Sequence, residues 1–252
     1  MTPLAGSLLL PDWPAPANVR ACVTSRSGGV SQPPFASLNL GDHVGDEPAA
    51  VAENRRRLTE LHHIQPAWLR QVHGVTVVQA DPGAQPEADA SWSASPGVAC
   101  TVMTADCLPA LFTDRAGTRV AAAHAGWRGL ANGVLEATVA SLGVPAEDLL
   151  VWLGPAIGPA AFEVGEEVRD AFTAHHPGAR EAFIPGQRPG KLMADIYALA
   201  RLRLAAVGVQ AVYGGGLCTV ADDRWFSYRR APRTGRFASL VWLAPTLESP
   251  AF

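Results

Sequence analysis

The order of the strand-like and helix-like segments constrains the fold of this chain more than any other feature. Eight short apolar runs have strand character, and four longer runs have helical periodicity. Some predicted strands follow one another directly while others are separated by helices, so the order favours an α/β or α+β fold over a regular βαβ repeat. The predicted strands cover residues 19–25, 76–80, 98–103, 108–112, 119–123, 149–153, 210–213 and 238–243. The predicted helices cover residues 48–62, 129–142, 165–175 and 192–207.

Gly and Pro are spread along the whole sequence, and no stretch has the composition of an interdomain linker. The chain contains neither an internal repeat nor a low-complexity tract. We therefore predict one domain that spans residues 1–252.

Composition and charge argue against several partners and locations. A formal net charge of −3 gives no electrostatic reason to expect nucleic acid or an anionic membrane as a partner. No segment approaches the roughly 18 unbroken apolar residues of a membrane span. The apolar run at residues 8–10 has no basic segment before it and ends at Pro11, unlike a signal peptide. The four cysteines form no CxxC pair, so we expect free thiols and a cytoplasmic protein.

The predicted helix at 48–62 carries polar residues close to its apolar stripe. Asp46 is suited to cap this helix, and Asn54 and Arg55 fall on or beside the stripe. Buried polar groups must find partners, so this pair either makes structural hydrogen bonds or lines a polar pocket. The stripe itself is predicted at Val51, Leu58 and Leu61.

A cysteine and a histidine occupy similar positions in the segments TADCLP (104–109) and HAGWRG (124–129). Cys107 follows one predicted strand and His124 ends another, so the two converge if their strands are neighbours. Arg128 lies where a helix is predicted to begin, and backbone N–H groups at such a point favour an anion such as phosphate. Asp106 is interpreted either as a turn cap or as a carboxylate that orients a ligating imidazole.

His73, in the segment QVHG, is the third member of this candidate group. Two histidines and one cysteine form a ligand set suited to zinc, and three protein ligands leave a fourth position open. The separations of 34 and 17 residues lack the short local pairing of a strong metal motif. From spacing alone, an interpretation as ordinary core residues therefore stays open. A thiol hydrolase with Cys107 as nucleophile and His124 as base is a further alternative, although it leaves His73 without a role.

The histidine content bears on copper chemistry. The sequence has seven histidines and no His-x-His pair, which does not support the imidazole-rich cluster of a multicopper oxidase. Binding of a single copper ion by the three candidate ligands remains an alternative to zinc.

Ordered motifs run along nearly the whole chain. They are SRSGGVS (25–31), SLNLGDHVGD (37–46), ENRRRL (53–58), QVHG (71–74), TADCLP (104–109), HAGWRG (124–129), GPAIGP (154–159), FEVGEEV (162–168) and FSYRR…TGRFASLVWL (226–243). In these motifs the chain resembles the family once named multicopper polyphenol oxidases or laccase-domain proteins and now regarded as purine nucleoside phosphorylases. Residues 177–191 match none of the motifs.

The resemblance implies a zinc ion held by His73, Cys107 and His124. It also implies phosphorolysis of adenosine, inosine, guanosine and 5′-methylthioadenosine, together with deamination of adenosine. The fold that it implies is a single domain of layered mixed β-sheets flanked by helices. Purine nucleosides and phosphate are then the expected partners, and the sequence leaves a monomer and a homodimer open.

Phosphate binding requires arginine side chains or helix-end donors. We predict Arg55 and Arg128 as catalytic residues beside Cys107, and Arg26 as a substrate-binding residue. Asn39 and His43 are predicted to bind the ribose or the base. Arg229 and Arg230 are reserve candidates for binding phosphate. The competing hypotheses are a copper-dependent phenol oxidoreductase, the thiol hydrolase, and a non-catalytic nucleoside- or metal-binding protein.

Overall fold

Two large β-sheets stacked face to face form the centre of the molecule in the computed structural model, which describes residues 8–245. The strands are β1 (Leu8–Leu9), β2 (Val19–Thr24), β3 (Gln65–Ala67), β4 (Val77–Gln79), β5 (Ala90–Ser93), β6 (Val98–Thr104), β7 (Leu108–Asp114), β8 (Val120–Ala125), β9 (Leu149–Leu153), β10 (Glu163–Gly165), β11 (Phe183–Pro185), β12 (Lys191–Ala194), β13 (Ala211–Gly214) and β14 (Phe237–Leu243). The α-helices are α1 (Pro48–His62), α2 (Trp127–Asn132), α3 (Val134–Leu142), α4 (Glu166–Thr173) and α5 (Ile196–Ala206).

Both large sheets mix parallel and antiparallel pairing. The five-stranded sheet has the order β1-β2-β14-β6-β3, and the six-stranded sheet has the order β13-β9-β7-β8-β5-β4. A small third sheet has the order β10-β12-β11. The prediction of layered mixed sheets flanked by helices is confirmed.

Side chains alternate between the layers, as the two-residue period of a strand requires. Val102 and Ala122 belong to the cluster between the two large sheets. Their neighbours Met103 and Ala123 face outward, Met103 towards Leu58 of α1 and Ala123 into the cluster under α3 and α5. The molecule is therefore layered as helix, sheet, sheet and helices.

Each of the eight predicted strands coincides with a strand of the structure, with ends that differ by at most two residues. The strands that the sequence did not predict are short, between two and four residues each. They are β1, β3, β5, β10, β11 and β12.

Two of the predicted helices are wrong in part. The segment 129–142 is divided into α2 and α3 at Gly133, whose φ of 103° lies in the left-handed region that glycine tolerates. The segment 192–207 begins as strand β12, and α5 starts only at Ile196. Asp195 caps α5, because its carboxylate accepts hydrogen bonds from the backbone N–H groups of Tyr197 and Ala198.

Helix α1 also differs from its predicted details. Asp46 does not cap it, because the N-cap position is Glu47 and the Asp46 carboxylate instead accepts from Ser31 and Asn39. Leu61 is 37% exposed, so it does not belong to the buried stripe. The buried residues of α1 are Val51, Asn54 and Leu58.

Among residues 8–245, no helix combines the length and the apolar character that crossing a bilayer requires.

Candidate metal centre

The antiparallel pairing of β7 with β8 brings Cys107 next to His124. In the register of this pair, Pro109 lies opposite His124 and Leu108 lies opposite Ala125. Cys107 directly precedes β7, so it lies at the edge of the sheet where β8 ends. The two residues converge as the sequence hypothesis required, but through β7 and not through the strand before Cys107, because β6 belongs to the other large sheet.

His73 approaches from the loop between β3 and β4, and a glycine makes the approach possible. A Cβ atom placed on Gly126 would lie 2.7 Å from His73 Cδ2 and 3.1 Å from the Cys107 sulfur. The backbone of His73 has a positive φ of 62°, which turns its side chain towards the two strand ends. Gly126 is therefore required for the three side chains to meet.

The three side chains have the spacing of a metal-ligand set. Their ligand atoms all lie within 4.8 Å of one another, and the Cys107 sulfur is 3.7 Å from His73 Nε2. Bonds of about 2.3 Å to sulfur and 2.0–2.1 Å to nitrogen in a tetrahedral site would separate two such ligands by about 3.6 Å. His124 is buried, Cys107 is half-buried and His73 is exposed, so the group opens to one side. These residues fit one zinc-sized ion with a free coordination position.

Asp89 fixes both histidines of the group. Its carboxylate lies 2.8 Å from His124 Nδ1 and accepts hydrogen bonds from the backbone N–H groups of Val72, His73 and Gly74. With Nδ1 bound to Asp89, His124 presents Nε2 to Cys107 and His73. Such a carboxylate–histidine pair is a recurring outer partner of metal ligands.

Asp106 does not perform this role, although the sequence made it a candidate. Its two carboxylate oxygens accept hydrogen bonds from the Thr219 hydroxyl at 2.5 Å and from the backbone N–H of Arg229 at 2.6 Å. Asp106 thus joins the loop after β6 to the segment around 219–229, on the wall of the same pocket.

Cys107 and His124 shift each other's pKa in opposite directions, so a metal ion that binds here must displace the His124 proton. Burial alone would raise the pKa of the Cys107 thiol, but the neighbouring His124 and His73 imidazoles outweigh it and lower this pKa to about 6. Burial would likewise lower the pKa of His124, but Cys107 and Asp89 raise it to about 9. Cys107 is therefore poised as a thiolate, the form in which cysteine binds metals.

Cys107 should react with iodoacetamide before Cys22 and Cys100 in metal-free protein, and bound zinc should protect it. Cys107 is half-buried and its thiol has a lowered pKa, whereas burial raises the pKa of the Cys22 and Cys100 thiols to about 12. Peptide mass spectrometry over a time course measures this order. Equal labelling of Cys22 and Cys107, or labelling of Cys107 that zinc does not slow, would contradict the geometry described above.

The candidate ligands line a pocket of about 290 Å³, close to the lower limit for small-molecule sites. Apolar side chains form much of its wall, and polar and charged side chains form the remainder. The residues around it are His43, Gln71, His73, Met103, Thr104, Ala105, Asp106, Cys107, His124, Trp127, Ile157, Phe162, Ile196, Tyr228, Arg229 and Arg236.

His43 lies on this pocket, whereas two other predicted substrate residues make structural contacts. Asn39 is fully buried, and its amide bonds to Gly41, Asp46 and the backbone of Arg236. The Arg26 guanidinium donates to the Ala36 carbonyl at 3.1 Å and lies over the ring of Phe226. The pocket wall includes neither Asn39 nor Arg26.

The two arginines predicted as catalytic also lie outside the pocket wall. Arg55 donates to the carbonyl of Leu40, pairs with Asp42 at 3.4 Å and stacks on Trp68. Arg128 is exposed and stacks on Trp127 at the start of α2. The structure therefore brings together the metal group and His43 but not Arg26, Asn39, Arg55 or Arg128.

Sequence reasoning missed two residues that belong to this site. Asp89 has no local signal, because it lies 16 residues from His73 and 35 from His124 in the chain. Arg236 lies within the TGRF segment directly before β14 and could have been noticed as an arginine at a strand start.

The sequence and the fold are both similar to known proteins. Residues 20–244 match the family described as multi-copper polyphenol oxidoreductase laccase. A Pseudomonas aeruginosa protein named purine nucleoside phosphorylase is 75% identical over 93% of this chain and 98% of its own length. The Escherichia coli purine nucleoside phosphorylase YfiH is 56% identical over 94% of this chain and 98% of its own.

Solved structures of similar proteins have the same fold. A crystal structure of a Neisseria meningitidis protein superposes with a TM-score of 0.92 at 55% identity, covering 95% of this chain and 100% of that one. The crystal structure of YlmD from Geobacillus stearothermophilus gives a TM-score of 0.82 at 31% identity, covering 91% of this chain and 93% of that one.

Proposed function

This chain belongs to the multi-copper polyphenol oxidoreductase laccase family, and from that premise we propose that it is a zinc-dependent purine nucleoside phosphorylase. The observation that carries the proposal is the group of His73, Cys107 and His124 in the wall of one pocket. Relatives with 75% and 56% identity that bear the name purine nucleoside phosphorylase support the reaction class. The proposed substrates are adenosine, inosine, guanosine and 5′-methylthioadenosine with phosphate.

Zinc is the ion that suits this ligand set best. His73 and His124 would bind through nitrogen and Cys107 through sulfur, which is the mixture that zinc accepts in tetrahedral sites. A bound zinc ion would supply a Lewis acid at its fourth position, inside the pocket. Copper is the alternative ion for the same three ligands.

Phosphorolysis joins a phosphate oxygen to C1′ of the ribose and breaks the bond between C1′ and purine N9. The electron pair of that bond leaves with the purine, and the proton of hydrogen phosphate ends on the released base. The products are a free purine and ribose 1-phosphate, or 5-methylthioribose 1-phosphate when 5′-methylthioadenosine is the substrate. The apolar part of the pocket wall includes Met103, Ile157 and Phe162, against which the flat base can pack. These side chains also exclude water that would compete with phosphate.

Deamination of adenosine is the second activity that we propose for this pocket. Water adds to C6 of the purine and ammonia leaves, which gives inosine. Asp106 and His43 lie on the same pocket and are the groups available to move a proton.

The four free cysteines agree with a reducing cytoplasm, and we propose that the enzyme acts there.

One experiment separates this proposal from its rivals. Zinc-loaded protein is incubated with adenosine plus phosphate, and in parallel with a phenolic substrate under air. We expect adenine and ribose 1-phosphate from the first mixture and no oxidised phenol from the second. Unchanged adenosine at full zinc occupancy would refute the proposed function. A copper-loaded sample is given the same two mixtures, and phenol oxidation by this sample but not by the zinc-loaded one would favour the oxidoreductase.

A further inference from the structure

Arg236 forms no ion pair with a carboxylate in the described part of the chain, although burial lowers its pKa and the nearby Cys107, Asp106 and Tyr228 groups act in the opposite direction. Arg236 lines the pocket that holds the candidate metal ligands. Only Nη1 forms hydrogen bonds, at 3.1 Å to the carbonyl of Thr234 and 3.0 Å to that of Gly235. Among residues 8–245, no carboxylate lies within ion-pair distance of Arg236, and its Nε and Nη2 groups have no acceptor. A half-buried cation with free donors fits an incoming anion.

The charge around Arg236 supports an anionic ligand. Arg229 lies on the same pocket, and its guanidinium donates to the carbonyls of Ala161 and Glu163, so it too keeps its charge without a carboxylate partner in the described part of the chain. Asp106 is the acidic residue in the pocket wall, and both of its oxygens already accept hydrogen bonds. Two arginines therefore share the pocket with one engaged carboxylate and with the Cys107 thiolate, whose charge a bound metal ion would offset.

A loop built from residues 39–41 fixes the position of Arg236. The side-chain oxygen of Asn39 accepts a hydrogen bond from the backbone N–H of Arg236 at 2.8 Å, and the backbone N–H of Leu40 donates to the Arg236 carbonyl at 3.0 Å. A Cβ atom on Gly41 would lie 2.8 Å from Arg236 Cγ. The SLNLGD segment thus positions Arg236, which lines the pocket. Asn39 itself does not line the pocket.

We propose that Arg236 binds the inorganic phosphate co-substrate beside the metal group, and that Asn39 and Gly41 act as positioning residues for it. This inference rests on the proposed function, because phosphate is the co-substrate of phosphorolysis. The free Nε and Nη2 groups form the parallel pair of donors that guanidinium groups use for phosphate oxygens. Phosphate held there lies in the same pocket as the nucleoside, which is what attack on C1′ requires.

Replacement of Arg236 tests the proposal directly. In Arg236→Gln we expect the KM for phosphate to rise roughly 10- to 100-fold, the loss that follows removal of charge-assisted hydrogen bonds. The KM for inosine should change little, and Arg236→Lys should lie between the two proteins because it keeps the charge and loses the paired donors. Titration calorimetry with inorganic phosphate, without nucleoside, should show the same order of affinities.

A matched control separates this effect from a general loss of charge. Arg180 is exposed and is not a residue of the pocket wall, so Arg180→Gln removes the same charge outside the proposed site. It should keep the wild-type affinity for phosphate. Equal phosphate affinity in Arg236→Gln and wild type would overturn the inference, as would an unchanged KM for phosphate in Arg236→Gln during phosphorolysis of inosine.

A second pair of variants tests the positioning loop. Gly41→Ala should raise the KM for phosphate while the KM for inosine and the zinc content stay unchanged, because the new methyl group displaces the stem of Arg236. Gly178→Ala meets nothing within 4 Å and should behave as wild type. Unchanged phosphate kinetics in Gly41→Ala would contradict the positioning role.

The outcomes also distinguish the inference from the proposed function. Phosphate binding that depends on Arg236, without ribose 1-phosphate from any nucleoside, would support the anion site and refute the phosphorylase. Phosphorolysis that survives Arg236→Gln with unchanged phosphate affinity would support the phosphorylase and refute the assignment of Arg236.

Discussion

Replacing Cys107 with serine should remove bound zinc and phosphorolysis together. A serine hydroxyl stays protonated at neutral pH and is a poor zinc ligand, whereas the Cys107 thiol has a pKa lowered to about 6 by its histidine neighbours, which outweigh its burial. Loss of an outer partner of a metal site typically costs 10–100-fold, so loss of a direct ligand should lower kcat/KM by more than about 100-fold. Elemental analysis of zinc and an assay for ribose 1-phosphate on the same samples measure both effects.

Cys218→Ser is the matched control for this substitution. Cys218 is also half-buried but lies outside the pocket wall, and its sulfur accepts a hydrogen bond from the Gly158 backbone that a serine oxygen can also accept. This variant should keep its zinc and its activity. Full zinc content in an inactive Cys107→Ser protein would contradict the ligand role and would favour the thiol as an attacking group.

Asp89→Asn should weaken zinc binding by about 10–100-fold and also destabilise the metal-free protein. Asp89 is fully buried and accepts from His124 and from the three backbone N–H groups around His73. In asparagine, an N–H₂ group replaces one of the two carboxylate oxygens, and this group cannot accept hydrogen bonds from these donors. Loss of two charge-assisted hydrogen bonds should lower the free energy of unfolding by about 3 kcal/mol.

Competition with a zinc-binding dye measures the affinity, and urea unfolding of the metal-free protein measures the stability. Asp81→Asn is the control, because Asp81 is exposed and its carboxylate accepts one hydrogen bond, from the backbone N–H of Gly83. Unchanged zinc affinity in Asp89→Asn would show that the carboxylate does not orient His124 for the metal.

The long strands of the fold were predictable from sequence, and the short ones were not. Strands β6, β7 and β14 are seven residues each and mostly apolar, so their patterns stand out locally. Strand β12, by contrast, has four residues and runs directly into α5, and its apolar residues extend the helical pattern across Asp195. The capping role of Asp195 marks the true helix start.

The candidate site was predictable only with the help of family resemblance. The three candidate ligands come from the β3–β4 loop, the start of β7 and the end of β8, and their convergence depends on sheet pairing that no local spacing reports. Asp89 escaped prediction for the same reason, whereas Arg236 had a local signal as an arginine directly before a strand. Arg26 and Arg55 are predicted as phosphate contacts because phosphate binding requires arginine donors, but their guanidinium groups bind backbone carbonyls, which sequence alone does not reveal.

Titration of metal-free protein with zinc tests the central claim most directly. Bound zinc and the rate of ribose 1-phosphate formation from inosine and phosphate are followed on the same samples. The three-ligand group predicts that both rise together and level off at one zinc per chain. Full phosphorolysis in metal-free protein, or saturation with zinc without ribose 1-phosphate, would contradict the assignment of this pocket to a zinc-dependent phosphorylase.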